Sequence, residues 1–166
     1  MGVDLIFVTV GNDHRAFDRL LKKIDEIALR IPGKIVVQKG YSGYCPRNAE
    51  CFDFIPMNQA MDYIKGAELV VSHAGIGTII LCREHGVPLL IFPRRRQFGE
   101  HMNDHQMEVA RALEERGDGQ VTVVHDEEQL EKGILEALEN RGRCVPGKNP
   151  GRANLIRTIR EFIEGA

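Results

Sequence analysis

Residues Glu68–Phe92, ELVVSHAGIGTIILCREHGVPLLIF, decide the fold class. Glu68–Ser72 is an apolar, β-branched run of strand length, and Leu89–Phe92 is a second. Between them, Ile79–His85 has helical composition and is closed by Gly86-Val87-Pro88, which cannot continue a helix. Strands this apolar are covered on both faces, and two of them joined through a helix must run parallel.

The pattern repeats outward. Upstream, Asp4–Val10 reads as a buried strand ending at Gly11-Asn12-Asp13. His14–Leu29 follows at helical spacing, with Phe17, Leu20, Leu21, Ile24, Ile27 and Ala28 on one face, until Pro32-Gly33 stops it. Lys34–Gln38 is a strand, Lys39–Asn48 a loop, Cys51–Ile55 a short edge strand and Asn58–Ile64 a short helix. Downstream come a helix over Glu100–Arg116, a strand over Gln120–Val124 and a helix over Glu127–Leu138. A Gly/Pro-rich break at Val145–Gly151 precedes a last helix over Ala153–Ile163. The alternation predicts an α/β, Rossmann-like three-layer parallel sheet of strand order 3-2-1-4-5-6. Residues 1–142 form the domain, and 143–166 are a linker and terminal helix that packs on it or on a partner.

Composition narrows the function. The 166 residues carry 22 Lys and Arg against 24 Asp and Glu, a formal charge of −2, which gives no bulk electrostatic case for nucleic acid. No run approaches the roughly 20 apolar residues of a membrane span. The N-terminus lacks a basic leader region and reads as strand. Cys45, Cys51, Cys82 and Cys144 include no CxxC pair, as in a reduced, cytoplasmic protein.

In a sheet of this order, ligands sit at the carboxyl ends of the strands where the order reverses. Gly11-Asn12-Asp13 and Ser72–Thr78 should face each other there. Gly75 and Gly77 let a ligand approach the backbone, and the N–H groups opening the helix favour an anion such as a diphosphate. A tight turn alone would also explain both glycines. Thr78 adds a hydroxyl, and His73 an imidazole that is neutral or charged at pH 7. The stretch lacks GxGxxG, GxxxxGK[ST] and GxSxG, which removes hydride transfer, ordinary NTP hydrolysis and a serine nucleophile.

Pro93-Arg94-Arg95-Arg96 ends the next strand at the same sheet edge, and Arg94 joins the anion-binding candidates beside a plain surface reading. Glu100, Asn103 and Gln106 would line one edge of a helix starting near Glu100, where they suit sugar hydroxyls or helix capping. Gln38 ends the second strand on the same rim. His101 and His105 lack HExxH and a third ligand, and no Asp-x-Asp occurs, so no metal is expected.

VTVGNDHRAFDRLL, VVQKGYSGY, IKGAELVVSHAGIGTII and GVPLLIFPRRRQFGEHMNDHQMEVARAL together resemble the C-terminal, donor-binding half of glycosyltransferase family 28 enzymes, which have the GT-B fold. The likeness spans about Val3 to Leu138, and HAGxGT with PRxxxxGEHxNDHQ is its specific part. It is nearest to short members that act as one subunit of a split enzyme on lipid-linked oligosaccharides or exopolysaccharides.

The resemblance implies that Gly75, Gly77 and Thr78, beside His73, hold the diphosphate of a UDP-sugar. It implies that Asp104, His105 and Gln106, with Glu100 and Asn103 nearby, contact the donor sugar, and that Gly11 and Asn12 line the cleft. His73 would lend charge or a proton to the leaving diphosphate. Many members carry a Glu for the ribose hydroxyls where this chain has Leu81, so ribose recognition must come from elsewhere, with Glu100 a candidate, or be weaker. The resemblance further implies a membrane-anchored partner subunit that binds a lipid-linked acceptor and recruits this chain to the cytoplasmic membrane face. The helix over Ala153–Ile163 is the candidate docking element. A nucleotide-sugar-binding regulatory module is the alternative, and a UDP-sugar epimerase relative would need both domains in one chain.

Overall fold

The computed structural model describes residues 4–117, 119–143 and Arg157. Six parallel strands form one sheet in the order β3-β2-β1-β4-β5-β6, as the alternation predicts. The strands are β1 (Leu5–Thr9), β2 (Lys34–Gln38), β3 (Glu50–Phe52), β4 (Leu69–Ser72), β5 (Leu89–Ile91) and β6 (Val121–Val123). The helices are α1 (Asp18–Ile27), α2 (Met57–Gly66), α3 (Ile76–His85), α4 (His105–Arg116) and α5 (Leu130–Glu139).

The two-residue alternation of the strands builds a separate core on each face. Ile6, Val8, Ile35, Val37, Leu69, Val71 and Leu90 pack with Phe17, Leu20, Leu21 and Ile24 of the α1 side and Leu130 and Ile134 of α5. Phe7, Val36, Val70, Leu89 and Ile91 pack with Ile64 of α2, Ile79 and Cys82 of α3 and Val109, Ala110 and Leu113 of α4. Each such side chain contributes about 1.5–3 kcal/mol when withdrawn from water. A shift of one residue in register would exchange the two cores.

Four helix starts differ from the sequence expectation by three residues or more; at α5 a 3₁₀ turn, Glu127–Gln129, precedes a helix that begins at Leu130 and not Glu127. α1 begins at Asp18 and not His14, and a 3₁₀ turn, Ala28–Arg30, replaces its last turn. Residues 13–17 are held out of the helix by specific bonds. The Asp13 carboxylate accepts the Arg15 N–H at 2.8 Å, the Arg15 carbonyl accepts from Arg94 at 2.9 Å, and Ser42 Oγ accepts the Phe17 N–H at 2.8 Å. α4 begins at His105 and not Glu100, because Gly99 has a φ of 68° and Glu100 is anchored elsewhere. The expected edge formed by Glu100, Asn103 and Gln106 on one helix therefore does not exist. α3 starts three residues early, inside the glycine loop. The break and helix expected over 145–163 lie outside the described residues, apart from Arg157.

Candidate functional site: a groove at the strand-order reversal

β1 and β4 pair at the centre of the sheet, and the loops after them diverge to opposite faces. A cavity of about 280 Å³ opens there, with α2 and α3 as its walls. Gly11, Asn12, Gln38, His73, Gly75, Gly77 and Thr78 all line it. The switch-point argument thus brings seven of the candidate residues together.

The glycines of the HAGxGT loop have different reasons to be glycine. A Cβ on Gly11 (φ +76°) or on Gly75 would overlap the His73 imidazole, so the ring sits between two backbones that must be bare. A Cβ on Gly77 would meet nothing within 4 Å. Internal packing explains Gly75, while at Gly77 the missing side chain simply leaves the cavity open. No side chain caps α3, whose hydrogen bonding starts with the Ile79 N–H on the Gly75 carbonyl at 3.1 Å. The amides ahead of it, on residues lining the cavity, form the positive end of the helix dipole.

His73 Nδ1 lies 3.1 Å from Ser72 Oγ. Burial drives its pKa down to about 3, helped by the Arg94 and His101 charges and opposed by Asp13. The ring is therefore neutral at pH 7 and offers hydrogen bonding but no charge. Asp13 is raised by burial, yet the Arg15 N–H and the charges of Arg94 and Arg15 leave its carboxyl below the usual range.

Sequence reasoning missed Thr9 and the α2 wall. Thr9 Oγ1 donates to Gln38 Oε1 at 3.2 Å and accepts the Gly11 N–H at 3.3 Å, fixing the first loop and leaving Gln38 its amide nitrogen for the cavity. Ile55, Met57, Ala60 and Ile64 line the far side. Their signal was a short helix starting at the same sheet edge as the glycine loop.

The remaining candidates do not line the cavity. The Arg94 side chain is 0% exposed. Its guanidinium donates to the carbonyls of Val10 (2.7 Å), Arg15 (2.9 Å) and Glu100 (3.0 Å) and lies 4.8 Å from the Phe17 ring centre. Glu100 is also buried, and both its oxygens accept from Arg19, at 2.9 Å each. Its Oε1 takes the Arg95 N–H as well, so Glu100 has no free oxygen to replace the carboxylate missing at Leu81. Arg19, unremarked in the sequence, also bonds Glu127 and stacks on Phe92 at 4.3 Å and Phe98 at 4.7 Å. Gln106 Oε1 accepts the N–H groups of Ala74 (3.3 Å) and Arg94 (3.0 Å), tying the two loops together. Asn103 Oδ1 accepts the N–H of His105, and Asp104 Oδ1 that of Arg96. His105 opens α4, half-buried. Among the described residues no three His, Cys, Asp or Glu side chains gather as a ligand set, and no helix is long and apolar enough to cross a membrane.

Residues 5–154 match the glycosyltransferase family 28 C-terminal domain. The chain belongs to this family. The UDP-N-acetylglucosamine transferase subunit ALG13 of Cryptococcus neoformans var. neoformans serotype D is 35% identical over 82 residues, covering 48% of this chain and 39% of that protein. Human ALG13, with the same description, is 29% identical over 126 residues, 68% of this chain and 10% of that one. The chain thus spans well under half the length of these curated relatives. Among solved structures, the solution structure of ALG13 superposes with a TM-score of 0.64 at 17% identity, covering 98% of both chains. The crystal structure of the kitacinnamycin glycotransferase gives 0.63 at 19% identity, covering 98% of this chain and 39% of that one. At those identities the structural likeness speaks for the fold alone, and it places this family 28 domain on a GT-B half.

Proposed function

We propose that this chain is the donor-binding, catalytic subunit of a UDP-sugar glycosyltransferase that transfers a hexosyl or N-acetylhexosaminyl group. The observation that carries the reading is the uncapped start of α3, opening at Gly75, Gly77 and Thr78 into a cavity where, among the described residues, nothing packs against Gly77. Family membership and the description of the fungal and human relatives as transferase subunits support it.

In this reading the acceptor oxygen attacks the anomeric carbon while the bond from that carbon to the diphosphate oxygen breaks. The electron pair goes to the diphosphate, and the α3 amides and dipole stabilise that charge. Neutral His73 supports the diphosphate as a hydrogen-bond donor. The acceptor proton passes to a base in the other half of the enzyme, because among the described residues no Asp or Glu lines this cavity. That half is a membrane-anchored subunit that binds the lipid-linked acceptor and holds this chain at the cytoplasmic membrane face. No metal takes part in this scheme.

Calorimetric titration in chelator tests the donor site. UDP should bind selectively over ADP and GDP, and Gly77→Val should weaken UDP at least tenfold while leaving the unfolding midpoint nearly unchanged. Unaltered binding in Gly77→Val would remove the site from this loop. UDP binding without transfer in the presence of the neighbouring subunit would favour a regulatory module.

A further inference from the structure

The cavity is chemically two-ended. Its polar side chains gather at the strand ends, on Thr9, Asn12 and Gln38, and around the start of α3, on His73 and Thr78. The rest of the lining is Phe7, Ile55, Met57, Ala60, Ile64 and Leu81. Of these six side chains only the Met57 thioether can accept a hydrogen bond from a hydroxyl, and only weakly. The backbone of this wall offers little more, because the carbonyls of the α2 and α3 interiors are consumed in their own helices.

The spacing along α3 says which part of a nucleotide meets this wall. Thr78 and Leu81 are three residues apart, about 4.5 Å of helix rise, so Leu81 lies one turn below the anion-binding amides. A nucleoside diphosphate anchored by its phosphates at Gly75–Thr78 puts its pentose, which directly follows the α-phosphate, beside Leu81. Its base then extends toward Ile55, Met57 and Ala60.

We infer that this site does not read the 2′-hydroxyl of the donor's pentose, so that it accepts deoxyribonucleoside diphosphate sugars of the thymidine type as well as uridine ones. The inference rests on the donor-site reading above and specifies its nucleotide class. A site built to bond a substrate hydroxyl rejects the analogue lacking it by roughly 10⁴-fold, because its own buried polar group is stranded. A wall of Leu, Ile and Phe strands nothing. The 5-methyl group of thymine is absorbed by the same wall, where exposed Met57 can adjust its rotamers.

The experiment compares UDP, dUDP and dTDP by calorimetry on the intact chain, and then on Leu81→Glu, which restores an acceptor beside the pentose. In the wild type the three affinities should agree within about threefold. In Leu81→Glu, UDP should exceed dUDP by about tenfold or more. A wild-type preference for UDP over dUDP of tenfold or greater overturns the inference and leaves the donor-site reading standing. No binding by any of the three overturns both. Should Leu81→Glu fail to fold, the wild-type comparison of UDP with dUDP decides alone.

Discussion

The two loops after the central strands contrast in how they use their polar residues. After β4, Gly75, Gly77 and Thr78 line the cavity, and the start of α3 is left without a side-chain cap. After β5, Arg94, Glu100 and Gln106 are at most 8% exposed, and the bonds they make fasten neighbouring segments. One loop opens onto the cavity; the other is a buried polar frame that holds the cavity in shape. A polar motif in a sequence does not distinguish these roles. Burial and partner count do.

The largest effect expected from breaking the frame is on folding. Arg94→Met strands the carbonyls of Val10, Arg15 and Glu100 that the guanidinium now satisfies, and each such loss costs about 1–3 kcal/mol. Urea denaturation should show a total loss of about 3 kcal/mol or more, with UDP affinity falling only as the first loop loosens. Next is Arg19→Ala, which leaves buried Glu100 without its bidentate partner and should cost about 3 kcal/mol. Adding Glu100→Gln should recover part of that loss, and a double-mutant cycle showing strict additivity would contradict the pairing.

Changes in the cavity-lining loop should do the reverse. Thr78→Val keeps the shape and removes one hydroxyl, so it should leave the denaturation midpoint within about 0.5 kcal/mol while weakening UDP several-fold. The effect that is smallest at neutral pH is proton-linked. His73 titrates at about 3 in the fold against about 6.5 when exposed, so between those values the unfolded chain binds the extra proton. Stability is full above pH 6.5 and falls as the pH drops toward 3. His73→Gln should make that fall shallower by up to one proton, and UDP affinity should show no His73 titration between pH 6.5 and 8.

Strand order was legible because β-branched runs and helical periodicity are local signals. So was the location of the cavity, since it follows from where the strand order reverses. The helix starts were not legible. His14–Phe17 has helical spacing, but Ser42 and Arg94, distant in sequence, bond its backbone in another conformation. The same non-locality misled the reading of PRxxxxGEHxNDHQ. Arg94 and Glu100 look like ligand-binding groups until Val10, Arg15 and Arg19 arrive from the other end of the chain to occupy them. The apolar wall was missed for the opposite reason. Ile55, Met57 and Ala60 have no chemistry of their own, and only packing α2 beside α3 turns them into one side of a groove.

The division between cavity-lining loop and buried frame is tested most directly by titrating the ¹⁵N-labelled chain with UDP and following every amide by NMR. The account predicts the largest shifts at Gly11, Gly75, Gly77, Thr78 and Leu81, with smaller, secondary shifts at Arg94, Glu100 and Gln106. Shifts centred on residues 94–106, with the α3 start undisturbed, would contradict it.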